Sequence, residues 1–124
     1  MKVLIIEDSP IMRMMLKGLL RQVNIMDVIE TSNGLEGLKI LNQESIQLIL
    51  LDLHMPVMDG ITFISEINKN SAWTKIPIII VSSDSETGQV AKAIELGART
   101  YITKPFGIEN LKSALIVAFS RKGK

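Results

Sequence analysis

Five short apolar runs, separated by segments with helical spacing, constrain this chain more than any other feature. The runs are Val3–Ile6 (β1), Val28–Ile29 (β2), Leu48–Leu51 (β3), Ile78–Val81 (β4) and Tyr101–Ile102 (β5). The runs in β1, β3 and β4 are continuous, not alternating, which is how a parallel strand buried on both faces reads. The first helix, α1, begins at Ser9-Pro10, a capping residue followed by proline at the first helical position. Within it Ile11, Met15 and Leu19 make one apolar row and Met12, Leu16 and Leu20 the row beside it, with Arg13, Lys17 and Arg21 pointing elsewhere. Asn33 with Glu36 marks the start of α2, and Asp59-Gly60 opens α3 with Phe63, Ile64 and Ile67 inward. Helix α4 is expected near Thr87–Leu96, stopping at Gly97, and α5 carries Leu111, Leu115 and Phe119 at i, i+4 and i+8. Strict alternation of strand and helix predicts an α/β fold: a doubly wound (βα)5 unit with helices on both faces of a parallel sheet.

The 124 residues suffice for one domain, with no linker or repeat. The absence of cysteine excludes disulfides and thiolate metal sites, and a single histidine, His54, excludes His-rich zinc chemistry. The opening apolar run is too short for an export signal, and no run approaches a membrane span, so a cytoplasmic location is expected, without membrane insertion. The net charge is +1, but Arg121, Lys122 and Lys124 lie in the last four residues, leaving 11 basic against 13 acidic residues in the body. That balance gives no footprint for direct nucleic-acid binding. Residues 1–120 are read as the domain and 121–124 as a basic tail continuing a frayed helix end.

In open α/β sheets, chemistry sits beyond the carboxyl ends of the strands. Strand 1 ends in Glu7-Asp8, strand 3 in Asp52, strand 4 in Ser82-Ser83 and strand 5 in Thr103-Lys104-Pro105. If these strands are neighbours, three carboxylates, a hydroxyl and an ammonium share one rim. Crowded carboxylates repel unless neutralised, and one lysine is not enough. A hard divalent cation such as Mg²⁺ (or Mn²⁺) answers that need and points to phosphoryl chemistry, with Asp52 as nucleophile and Lys104 as a further positive group. Taken singly, each residue has a plainer reading: Glu7-Asp8 a polar strand end, Asp52 a turn-former, Ser82 a cap, Lys104 a solvated charge. The combination on one rim favours the functional reading.

Along essentially its whole length the sequence resembles the receiver domains of bacterial two-component response regulators (CheY-like). The stretches that carry the resemblance are Leu4-Ile5-Ile6-Glu7-Asp8, Leu50-Leu51-Asp52-Leu53-His54-Met55-Pro56-Val57-Met58-Asp59-Gly60, Ile76 through Ser83, and Gly97 through Phe106 with its Lys104-Pro105-Phe106. The resemblance implies a flavodoxin-like sandwich with strand order 2-1-3-4-5. It implies Asp52 as phosphoacceptor, metal held by Glu7, Asp8, Asp52 and the His54 backbone carbonyl, and Ser82 and Lys104 bonding the phosphoryl group. Tyr101 matches the aromatic switch residue, and Lys104–Pro105 should be cis. Glu7 stands where Asp is commoner, so its metal contact is expected to run through water. The His54 side chain is expected at the site opening, where a bystander role is equally open.

A sensor histidine kinase or histidine phosphotransfer protein is the implied donor. An effector protein reading α4–β5–α5 is the implied output partner, and a phosphatase a further one. The row Arg13, Lys17, Arg21 reads as a solvated face or as a docking aid for the donor. Such a domain catalyses its own phosphorylation and slow dephosphorylation and is otherwise no enzyme. A single-domain regulator of chemotaxis or a phosphorelay is the leading context. A receiver cut from a multidomain regulator and a phosphorylation-independent interaction module stand beside it. An aspartyl-phosphate phosphatase would want an acid two residues after Asp52, where His54 stands, and a nucleotide-binding domain would want a Gly-rich loop after strand 1.

Overall fold

The computed structural model describes residues 1–83 and 88–120. Its elements are β1 (Lys2–Ile6), α1 (Pro10–Gln22), β2 (Asp27–Thr31), α2 (Gly34–Gln43), β3 (Leu48–Leu51), α3 (Gly60–Ile67), β4 (Ile78–Ser82), α4 (Gln89–Glu95), β5 (Thr100–Thr103) and α5 (Ile108–Ala118). All strands pair in parallel in the order β2-β1-β3-β4-β5. The order reverses direction between β1 and β3, the place where open α/β sheets carry their sites at the carboxyl ends of the strands.

Strand composition follows position in the sheet. The central strands β3 and β4 are buried at every residue and β1 at all but its first, whereas the edge strands β2 and β5 each bury one residue. Alternate side chains of the central strands feed two cores. Leu4, Ile6, Ile49, Leu51 and Ile80 pack with Phe63, Ile64 and Ile67 of α3, Leu41 of α2 and Val90 of α4. Val3, Ile5, Leu48, Leu50, Ile79 and Val81 pack with Leu16 and Leu20 of α1 and Leu111, Ala114 and Ala118 of α5.

The starts of α1, α2 and α3 are set by side-chain caps. Ser9 Oγ accepts from Met12 N–H at 3.2 Å, Asn33 Oδ1 from Glu36 N–H at 2.9 Å and Asp59 Oδ1 from Thr62 N–H at 2.8 Å. Glu36 returns a bond not to Asn33 but to the N–H and hydroxyl of Ser32.

The apolar rows of α1 and α5 narrow to the residues that meet the sheet. On α1 Leu16 and Leu20 are buried and Leu19 of the neighbouring row packs partly buried against the same core, while Ile11 and Met15 are exposed, because the sheet covers one stripe of the helix. On α5 the buried row is Leu111, Ala114 and Ala118, and Phe119 lies exposed at the C-cap, because small residues let this helix approach the sheet closely. Helix α4 is short, running Gln89–Glu95; its expected start near Thr87 lies outside the described residues, as does the tail 121–124. No helix among the described residues is long and apolar enough to cross a membrane.

Candidate functional site

The sheet brings Glu7, Asp8, Asp52, Ser82 and Lys104 to one rim. The peptide after β1 carries the acidic pair, and Asp52 N–H donates to Ile6 O at 3.0 Å, continuing the β1–β3 ladder one residue past the strand. Ser82 pairs with Thr103 across β4–β5, and Lys104 N–H donates to Ser82 O at 2.9 Å. One carboxylate oxygen from each of Glu7, Asp8 and Asp52 lies within 4.8 Å of the others. Glu7, Asp52 and Ser82 are buried at 2%, 5% and 1% exposure, while Asp8 and His54 are exposed. Tyr101 is 45% exposed on β5, outside this cluster. The Lys104–Pro105 peptide is cis.

Lys104 Nζ stands 3.1 Å from Glu7 Oε1 and 3.7 Å from Asp52 Oδ2. The other Glu7 oxygen accepts from Ser9 N–H at 3.1 Å, so the longer arm of glutamate bridges the α1 cap and the lysine. Burial pushes the Glu7 carboxyl up from its ordinary range, and the neighbouring Asp52 charge adds to that. The Ser9 amide and Lys104 pull it part of the way back. Three carboxylates with one lysine leave a surplus of negative charge that a dication would balance. Oxygen-only donors with one exposed member, Asp8, suit an ion that keeps part of its water shell.

Several contacts at the rim were not legible in the residue pattern. His54 N–H donates to Asp52 Oδ1 at 3.2 Å, holding the carboxylate from its own loop. That loop turns about Val57, at φ 69, with Met58 N–H bonded to Pro56 O at 2.7 Å, a three-residue turn that a β-branched residue rarely centres. Gly34 at the start of α2 donates to Met58 O at 3.3 Å. A Cβ on Gly34 would meet Met58 Cγ at 2.9 Å. Arg13, part of the basic row, donates through Nη1 to Glu7 O at 2.7 Å and through Nε to Glu30 Oε1 at 3.1 Å. Lys17 pairs with Glu30 Oε2 at 2.9 Å, so two of that row's three charges are occupied within the domain.

A doubly wound five-stranded sheet with an acidic cluster at its switch point defines a CheY-like receiver fold. The chain belongs to the response regulator receiver domain family, whose model matches residues 3–116. It is 33% identical over 118 residues to a probable chemotaxis protein CheY of Rhizobium etli, covering 95% of this chain and 92% of that protein. It is 39% identical over 114 residues to a probable C4-dicarboxylate response regulator DctR of Priestia megaterium, covering 91% of this chain but only 49% of that longer protein. The Mn²⁺-bound form of the response regulator Rcp1 superposes with a TM-score of 0.77 at 28% identity, covering 94% of this chain and 91% of that one.

Proposed function

We propose that this domain accepts a phosphoryl group on Asp52 from a phosphohistidine donor, a sensor histidine kinase or histidine phosphotransfer protein. The carrying observation is the buried Asp52 carboxylate with Lys104 3.7 Å away and the acidic pair beside it. Glu7, Asp8, Asp52 and the His54 carbonyl would hold Mg²⁺ or Mn²⁺, which supplies charge neutralisation for the incoming phosphoryl group. The metal-bound relative Rcp1 supports that choice of ion. The His54 amide orients Asp52 Oδ1, leaving Oδ2 on the Lys104 side to attack phosphorus as the phosphorus–nitrogen bond to the donor imidazole breaks. Lys104 then shifts from Glu7 toward the new phosphoryl oxygens, and the Ser82 hydroxyl joins it. Each such charge-assisted bond contributes about 1.5–3 kcal/mol. Inverting a 1:99 population takes roughly 5.5 kcal/mol, so the two bonds suffice for most of a switch.

Output runs through α4–β5–α5, with Tyr101 turning inward as the rim rearranges. Its exposed position on β5 supports that reading. The extent of the match to the Rhizobium chemotaxis relative favours signalling by protein–protein contact over multi-turnover hydrolysis.

The test is incubation with a small-molecule phosphodonor and Mg²⁺, read by intact mass. The wild-type chain gains one phosphoryl group and Asp52→Asn gains none. A wild-type mass that never changes, or an Asp52→Asn variant modified to the same extent, would overturn the assignment.

A further inference from the structure

Every backbone and side-chain polar atom of Glu7 is engaged. Its N–H donates to Thr31 O at 3.1 Å, and its two carboxylate oxygens accept from Ser9 N–H and Lys104 Nζ. Its remaining polar atom, the carbonyl oxygen, takes the Arg13 guanidinium at 2.7 Å. That carbonyl belongs to the peptide joining Glu7 to Asp8, so its orientation sets the direction in which the Asp8 side chain leaves the chain. Asp8 itself is the exposed member of the acidic cluster. Arg13 is gripped in turn by Glu30 on β2, the strand paired with β1, and Glu30 is shared with Lys17. The guanidinium reaches both partners at once, Glu7 O through one terminal nitrogen and Glu30 through Nε.

We infer that Arg13 is a positioning residue of the acidic site, fixing the Glu7–Asp8 peptide so that Asp8 is presented to a divalent cation, with Glu30 holding Arg13 in place. The inference rests on the proposed divalent site and extends it to residues outside the rim. A positive side chain close to a cation site is by itself unfavourable for the cation. Pairing with Glu30 offsets that charge while leaving the hydrogen bond to Glu7 O intact. Groups that orient a metal ligand typically change metal affinity by about 10–100-fold when removed.

The experiment is a Mn²⁺ titration of the intact protein, read by loss of the free-ion electron paramagnetic resonance signal. Simple charge removal predicts tighter Mn²⁺ binding in Arg13→Gln; the positioning role predicts binding weaker by about tenfold. Arg13→Lys, which keeps a donor within reach of Glu7 O, recovers most of the loss. Lys17→Gln removes a neighbouring charge that does not touch the Glu7–Asp8 peptide, and does not weaken binding. The thermal midpoint of each metal-free variant confirms that it is folded, and Arg13→Met replaces Arg13→Gln if the latter does not fold. Unchanged or tighter binding in the Arg13 variant, or a weakening that Arg13→Lys fails to relieve, overturns the inference. If the wild-type protein binds no Mn²⁺, the divalent site falls and this inference falls with it. If the wild type binds and Arg13→Gln binds equally well, this inference falls alone.

Discussion

The two sides of the rim are built differently. On the β1–β3 side, Glu7 and Asp52 are buried and tied by hydrogen bonds, from Ser9, Arg13, Lys104 and His54 and from the Glu7 N–H to Thr31 O, with α1, α2 and α3 each started by a side-chain cap. On the β5 side, the edge strand buries only Ile102, and Tyr101, Ile116 and Val117 stand exposed. Helix α4 there starts from Gly88, in a left-handed conformation without a side-chain cap. The contrast separates two tasks. Under the proposed phosphoacceptor role, the Glu7–Asp52 end of the cluster sits where many contacts determine it, and the proposed output surface sits where few do.

The sharpest way to break that contrast is to add one methyl group to each side. A Cβ at Gly60 would lie 2.7 Å from Asp52 O and 2.8 Å from Leu53 Cα, backbone atoms that cannot move without moving the Asp52 carboxylate. Gly60→Ala is expected to cost about 1–3 kcal/mol in urea unfolding and to slow phosphoryl uptake. Gly107, which starts α5 at φ −135 on the other side, has nothing within 4 Å of the same added atom. Gly107→Ala should change stability by less than about 0.5 kcal/mol. Equal losses in the two variants would mean that the rim is not divided as described.

A smaller effect probes what does hold the β5 side. Arg99, just before β5, donates through Nη1 to Ala118 O at 2.6 Å, closing the last turn of α5 where the helix dipole favours a positive charge. Arg99→Ala is expected to lower stability by about 1–2 kcal/mol, read by thermal or urea unfolding. Within the same side, Tyr101→Ala should fall inside about 0.5 kcal/mol of wild type, because the ring is half exposed. Its effect should appear instead in effector binding after phosphorylation. A large stability loss in Tyr101→Ala would recast that residue as a packing element.

The difference between the two sides also governs how much could be read from the residues alone. Continuous Ile/Leu/Val runs identified β1, β3 and β4 as central because a strand covered on both faces has no room for polar residues. Strand order and the convergence of Glu7, Asp8, Asp52, Ser82 and Lys104 followed from that alternation and from the family resemblance. The apolar rows of α1 and α5 hold more residues than the sheet covers. Periodicity shows that Ile11 and Phe119 are apolar, but not how wide a stripe the sheet can cover. The tie from Arg13 to Glu7 was illegible for another reason: it joins a side chain to a backbone carbonyl. Every residue has such a carbonyl, so no pattern of residue types announces the contact.

The smallest prediction concerns the charge pair that supports Arg13. Hydrogen bonds and charge from Lys17, and then from Arg13, hold the Glu30 carboxyl below the usual carboxylate range. A depressed folded-state value means that the unfolded chain binds the proton more readily. The resulting stability is therefore present at neutral pH, begins to fall near the unfolded value of about pH 4, and is gone below the folded one. Glu30 is one-third exposed, and screening holds such pairs to about 0.2–1 kcal/mol. Thermal midpoints of wild type and Glu30→Gln should therefore differ slightly and by a constant amount from pH 7 down to about pH 5. They should converge as the pH falls through roughly 4, and added salt should narrow the gap at neutral pH. A gap that persists under acid would assign the role of Glu30 to packing instead of charge. A gap of several kcal/mol at neutral pH would make this surface pair, and not the buried hydrogen bonds around Glu7, the source of the rigidity on the β1–β3 side.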